Sequence, residues 1–175
     1  TVLDNNKDRP NLSLPWVMFG HSGHADRPKA PLPFAFVERA RELRPELLHF
    51  KCIVDPSVVS QVSTHKFQTF EHGSKTWSMS GVAATNKTRN TAEFLSPGSL
   101  QLNHYYLRSE AEMWEKINGS AVSGIEKEKR KNVILSRAKL IEEDIEIDKT
   151  TVQFLSHRGI DQAKFEKLRD EMFDL

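Results

Sequence analysis

A chain of 175 residues is long enough to bury a hydrophobic core as one domain, or as one large piece of a domain, which excludes a tiny stapled scaffold. Its 25 Lys and Arg against 24 Asp and Glu leave a formal charge of +1, so no global field draws it onto nucleic acid or an anionic membrane. The single cysteine, Cys52, excludes an internal disulfide framework and reads as a small core residue in the run Cys52-Ile53-Val54.

No window approaches the ~20 apolar residues of a membrane helix, and Thr1 to Asn6 has neither the basic flank nor the apolar core of a signal segment. The start without Met is what a fragment would show. N-x-S/T sequons begin at Asn11, Asn86 and Asn118, each in polar, turn-like sequence where a glycan could be accommodated.

In chain order, Thr1 to Pro15 is polar with two prolines and reads as loop or linker, and Trp16-Val17-Met18-Phe19 follows as a short strand closed by Gly20. The Gly- and Pro-rich stretch His21 to Pro33 is predicted as a loop. Phe34 to Arg44 carries Phe34, Val37, Ala40 and Leu43 at helical spacing and is predicted as a helix ending before Pro45. His49 to Val54 alternates as a strand and turns at Asp55-Pro56. Strand, loop, helix, strand is the order of an α/β layer.

Val58 to Ser80 suggests short antiparallel strands with a turn at Gly73-Ser74. Leu100 to Leu107 alternates as a strand, and Ser109-Glu110-Ala111-Glu112 is a capping box opening a helix from Glu110 to Ile117. The charged run Glu126 to Arg130 leads into a helix with Val133, Leu135, Ala138, Leu140 and Ile141. Another helix runs from Asp161 with Phe165, Leu168, Met172 and Phe173 on one face. The scatter of His65, Lys66, His72 and Lys75 matches no compact zinc spacing.

The strongest local feature is Trp16 to His24, an aromatic-bearing strand running straight into a Gly-x-x-Gly-His loop, where backbone can approach a ligand closely. An ordinary core strand and turn is the plainer reading of the same residues. With Arg27-Pro28, Val37-Glu38-Arg39 and the segment Lys51 to Val59, it resembles the W-x-x-F-G-x-S-G-H … K-x-I-V-x-P-x-x-V blocks of family 2 and family 92-like glycosyltransferases. Leu102 to Ser109 is similar to the N-H-Y-x-x-K/R-S block of the same enzymes, and the matches together span roughly residues 14 to 120.

The resemblance implies an α/β fold, part of a GT-A (Rossmann-like) mixed sheet with flanking helices, with residues 1–120 as the C-terminal part of the transferase domain and 121–175 as a helical extension. It implies transfer of a sugar from a nucleotide-sugar donor to a glycan or glycoconjugate acceptor hydroxyl, with Mn²⁺ or Mg²⁺ as cofactor. The Asp-x-Asp motif of such enzymes should precede Trp16, and Asp4 and Asp8 do not supply it, so the donor half is expected to be missing and the isolated chain inactive. Location follows the family: a Golgi or other secretory-pathway membrane in a eukaryote, with the anchor upstream, and the cytoplasm in a bacterium.

On that resemblance His104 is the candidate metal ligand, since neutral imidazole suits such cations. Glu38 is the candidate catalytic base, placed near the start of the predicted helix. Trp16, Phe19, Gly20, Ser22, Gly23 and His24 would line the acceptor, with His24 orienting its hydroxyl, and Lys51 and Arg108 would neutralise diphosphate charge. Each also has an ordinary structural reading, as strand histidine, surface carboxylate or solvated cation. The alternative function is a non-catalytic carbohydrate-binding or interaction module. Hydrolysis by paired carboxylates ranks last, because Glu38 has no evident mate.

Overall fold

The computed structural model describes residues 2–42, 44–63, 66–85, 88–89, 91–95, 100–119 and 126–173. The chain is mixed α/β. Its elements begin with β1 (Asn11–Met18), α1 (Leu32–Ala35), β2 (Glu38–Ala40), β3 (Phe50–Val54), β4 (Val59–Ser63), β5 (Lys66–Thr69), β6 (Thr76–Trp77) and β7 (Ala83–Ala84). They continue with β8 (Leu102–His104), α2 (Glu110–Asn118), α3 (Lys127–Glu143), β9 (Ile145–Ile147), α4 (Thr150–Ser156) and α5 (Gln162–Phe173). They form two compact units, Thr1–Val17 with Leu43–His104, and Met18–Glu42 with Tyr105–Leu175.

In the first unit a mixed sheet is built around β1. It pairs antiparallel with β3 from Asn11↔Val54 to Pro15↔Phe50, parallel with β6 at Leu12↔Trp77, and also with β8. β6 continues antiparallel into β7, while β4 and β5 pair separately as an antiparallel couple. The strand therefore starts at Asn11, well inside the stretch that composition marks as linker. Asn11 and Ser13 are fully buried, and the Asn11 amide donates to Thr76 Oγ1 at 3.0 Å and to the Lys75 carbonyl at 3.3 Å. The Asn11 amide nitrogen is thereby paired, while its Oδ1 and the Ser13 hydroxyl are buried with no hydrogen-bond partner among the described residues. The Asn11 sequon is consequently closed to a glycan, whereas the sequon at Asn86 lies outside the described residues.

Leu48, Ala84, Phe94 and Leu95 form a buried cluster in this unit, with Phe50 and Val82 packed on it. Beside it Arg89 is only 2 % exposed. Its guanidinium lies 5.6 Å from the Phe50 ring centroid, and Nε, Nη1 and Nη2 have no hydrogen-bond partner among the described residues. Burial lowers the Arg89 pKa, with the nearby Cys52 opposing, and burial pushes the Cys52 thiol up to about 11 against the pull of Arg89. A buried cation without an acceptor is a net liability. Arg89→Met is therefore expected to stabilise the fold by about 1–3 kcal/mol in chemical denaturation; a less stable variant would mean that the guanidinium has an acceptor.

The second unit pairs β2 antiparallel with β9 from Glu38↔Ile147 to Ala40↔Ile145. Phe19, Phe36, Leu107, Met113, Ile117, Ile134 and Ile141 are buried in it. The helix predicted over Phe34 to Arg44 is not formed: helical structure stops at Ala35, Phe36 turns extended (φ −108°, ψ 97°), and Glu38 to Ala40 is strand. Prolines crowd the start of that segment, and β9 offers a ladder that local periodicity cannot reveal. Arg39 ties the two strands further, pairing with Glu146 and with Asp148, the latter at 3.0 Å.

The capping box of α2 is formed in full, Ser109 and Glu112 each accepting from the other's backbone N–H. On α3 the buried positions are Ile134 and Ile141, while Val133 is exposed, so the apolar face lies one residue away from part of the predicted stripe. No helix among the described residues is long and apolar enough to cross a membrane.

Candidate functional site

Within the second unit, the loop after β1 is fixed by its own small residues. Phe19, 1 % exposed, bridges Arg39 and packs on Tyr105 with ring centroids 4.8 Å apart. The Gly20 N–H donates to the Glu38 carbonyl at 2.9 Å. Ser22 (φ 50°) and Gly23 (φ 73°) are both left-handed, a conformation cheap for glycine and strained for serine. In return the Ser22 Oγ accepts from the N–H groups of Val37 and Glu38, each at 3.0 Å. His24 Nε2 lies 3.0 Å from the Ala35 carbonyl, to which it donates, and meets Phe36 edge-on at 5.3 Å.

Glycine at position 20 leaves room for the end of the Glu142 side chain of α3. A Cβ there would push the Glu142 carboxylate aside, away from the His21 N–H from which it accepts at 2.7 Å. Glu38 thus stands in β2 and not at a helix start, its backbone gripped by Gly20 and Ser22. It is half-buried, and no hydrogen bond or ion pair engages its carboxylate among the described residues.

The second motif block meets the first pair by pair. His21 Nδ1 donates to the Arg108 carbonyl at 2.6 Å, across 87 positions of sequence. Glu110 N–H donates to the His24 carbonyl and Ala111 N–H to that of Ala25. Arg108, itself left-handed at φ 57°, donates to Glu112 at 3.3 Å, as Arg27 does at 3.0 Å. Burial alone would raise the Glu112 pKa, but the Ser109 hydroxyl and N–H, Arg108 and Arg27 together carry it below the usual carboxylate range.

One group in this unit escaped sequence reading. Lys116 donates to the Tyr106 carbonyl at 3.1 Å and lies 3.6 Å from the centroid of the Tyr106 ring. Burial first, then the charges of Arg130, Arg137 and Arg108, push its pKa down to about 8. A lysine depressed in the fold binds fewer protons there than in the unfolded chain between pH 8 and the ordinary lysine value, so its contribution to stability rises with pH across that window. Lys116→Met is expected to flatten the rise in melting temperature between about pH 8 and 10; an unchanged slope would assign that rise to another group.

In the first unit, Trp16, Lys51 and His104 come together. The His104 ring stacks on the indole at 4.0 Å and 22°, and the Lys51 ammonium sits 5.7 Å from the indole centroid. His49, not nominated from sequence, joins at 5.1 Å. The signal for it lies in the strand register, since the Trp16 N–H donates to the His49 carbonyl at 2.8 Å. With His104 covering one face of the indole, the grouping offers an aromatic body rimmed by an ammonium and two imidazoles, which suits a ligand carrying negative charge. Among the described residues no three His, Cys, Asp or Glu side chains converge as a metal set. The residues present thus do not by themselves fit a divalent cation, and His104 would be one ligand of it at most.

Compared against protein-family models, curated proteins and solved structures, the chain matches none of them.

Proposed function

We propose that the chain is the acceptor-side part of a GT-A-type, Rossmann-like glycosyltransferase, which moves a sugar from a nucleotide-sugar donor to an acceptor hydroxyl. The observation that supports this reading best is the grip on Glu38. Gly20 and Ser22 of the W-x-x-F-G-x-S-G-H segment make three hydrogen bonds to the main chain of Val37 and Glu38. A strand so anchored holds a carboxylate at a fixed place, as a general base requires. Glu38 would take the proton of the acceptor hydroxyl as its oxygen bonds to the anomeric carbon and the nucleoside diphosphate departs.

Arg108, in the same unit as Glu38, would neutralise charge on the departing diphosphate, and in the first unit Lys51 beside Trp16 makes a separate basic and aromatic patch of the kind that binds anionic, planar groups. Mn²⁺ or Mg²⁺, where bound, would supply further charge neutralisation. His104 would hold it only together with ligands from beyond the described residues, and no step above depends on it. A secretory-pathway location in a eukaryote, or a cytoplasmic one in a bacterium, follows from this reading alone.

The test is isothermal titration of the chain with UDP, with and without Mn²⁺, beside His104→Ala. Manganese-dependent binding that is lost in the variant would make His104 one ligand of a cation completed by residues outside those described. UDP binding indifferent to both would remove His104 from the donor site, and binding of glycans without any UDP binding would favour a carbohydrate-recognition module.

A further inference from the structure

Within the second unit, a cleft of about 300 Å³ opens between the loop from Arg27 to Leu32, the start of α2 and the last helix, α5. This is the lower end of the size range of ligand pockets, enough for a monosaccharide unit and little more. Its charge is lopsided. Arg27, Lys29, Arg108 and Arg169 line it against the single carboxylate Glu112. Glu115 takes one Arg27 nitrogen at 3.5 Å and Asp170 takes Arg169 at 2.7 Å, at the margin. Lys29 has no ion pair or hydrogen bond among the described residues.

Two of the cations are held in place before any ligand arrives. The Glu112 side chain is only 9 % exposed and accepts from Arg27 Nε and Arg108 Nη1 at once. Those bonds leave Arg27 Nη1 and Arg108 Nη2 with their N–H groups uncommitted. Guanidinium groups fixed by a buried carboxylate lose little freedom when they bind, which favours bidentate recognition of an anion. The opposite wall is apolar, formed by Pro31 and Leu32 with the buried Phe36 behind them. Such a surface suits the C–H face of a pyranose ring and does nothing for an isolated anion.

We propose that this cleft binds a saccharide carrying an anionic group, carboxylate or phosphate, with Arg27, Lys29 and Arg169 on the anion and the half-buried Pro31 and Leu32 beneath the ring. Its role as the acceptor subsite rests on the transferase reading above; the binding itself does not.

The two sources of charge and the two halves of the cleft are separable by titration of the whole chain, following the arginine Nε–H resonances by NMR. Glucuronic acid and glucose 6-phosphate are expected to bind at least about tenfold tighter than glucose, and glucose 6-phosphate tighter than inorganic phosphate. Whichever of the two acids binds tighter identifies the anion. The Lys29→Gln/Arg169→Met double variant, which leaves the Glu112 clamp intact, is expected to weaken both by about tenfold without altering UDP binding. Equal affinity for glucose, affinity for inorganic phosphate equal to that for glucose 6-phosphate, or an unaffected double variant would each overturn the proposal. Acid-sugar binding in a chain that fails the UDP test leaves the cleft standing and sinks only the acceptor role.

Discussion

Glu38→Gln is expected to lower sugar transfer by about 10²- to 10⁴-fold, the usual contribution of a positioned general base. The measurement is product formed from a labelled nucleotide sugar by the full-length protein under saturating donor. Glutamine keeps the size of the side chain and its place in β2, where the main chain is fixed by Gly20 and Ser22 and paired with Ile147. The melting temperature and the affinity for UDP are therefore expected to stay unchanged. A fall in the turnover number alone would identify a group acting on the attacking hydroxyl. Full activity in the variant would return Glu38 to the status of an ordinary strand carboxylate and remove the chief support for the transferase reading.

The largest effect expected on stability is at Ser22. Its hydroxyl accepts from two backbone N–H groups, those of Val37 and Glu38, and Ser22→Ala leaves both without that acceptor. Each costs about 1–3 kcal/mol when water cannot replace the bond fully, so a loss of roughly 2–4 kcal/mol is expected in urea unfolding. The left-handed backbone at this position (φ 50°) makes a second comparison informative. Ser22→Gly loses the same bonds but relieves about 1 kcal/mol of backbone strain. The expected order of stability is serine, then glycine, then alanine, the reverse of the usual advantage of alanine over glycine. An alanine variant as stable as the parent would show that the hydroxyl does not hold the strand.

What could be read from the sequence followed how locally each feature is determined. The capping box of Ser109 and Glu112 lies within four residues, and it formed as its spacing requires. The strand ending at Val54 and the helix through Met113 were likewise announced by nearby residues. The stretch from Asn11 to Pro15 was not, since Asn11 and Ser13 are buried by partners at Thr76 and on β3 that no local window contains. Glu38 was misplaced in a helix for the same reason, its ladder partner Ile147 lying far along the chain. For the candidate site, the residue types were legible but their grouping was not. Trp16, Lys51 and His104 gather in one unit, Ser22, His24, Glu38 and Arg108 in the other. His49 and the depressed Lys116 drew notice only once register and burial were known.

The closed side chain of Asn11 also sets a race. Its amide nitrogen is the atom an oligosaccharyltransferase would modify, and in the folded chain that nitrogen is engaged with Thr76 in the interior of the sheet. In a compartment that glycosylates nascent chains, attachment before strand closure would place a bulky polar group where β1 must meet β6, and that molecule could not complete its sheet. Chains produced through such a compartment would therefore divide into an unmodified, native fraction and a glycosylated, misfolded one. Asn11→Asp would avoid the modification only at the expense of the buried donor, so replacing Ser13, whose hydroxyl completes the sequon, with alanine is the gentler route to a homogeneous product.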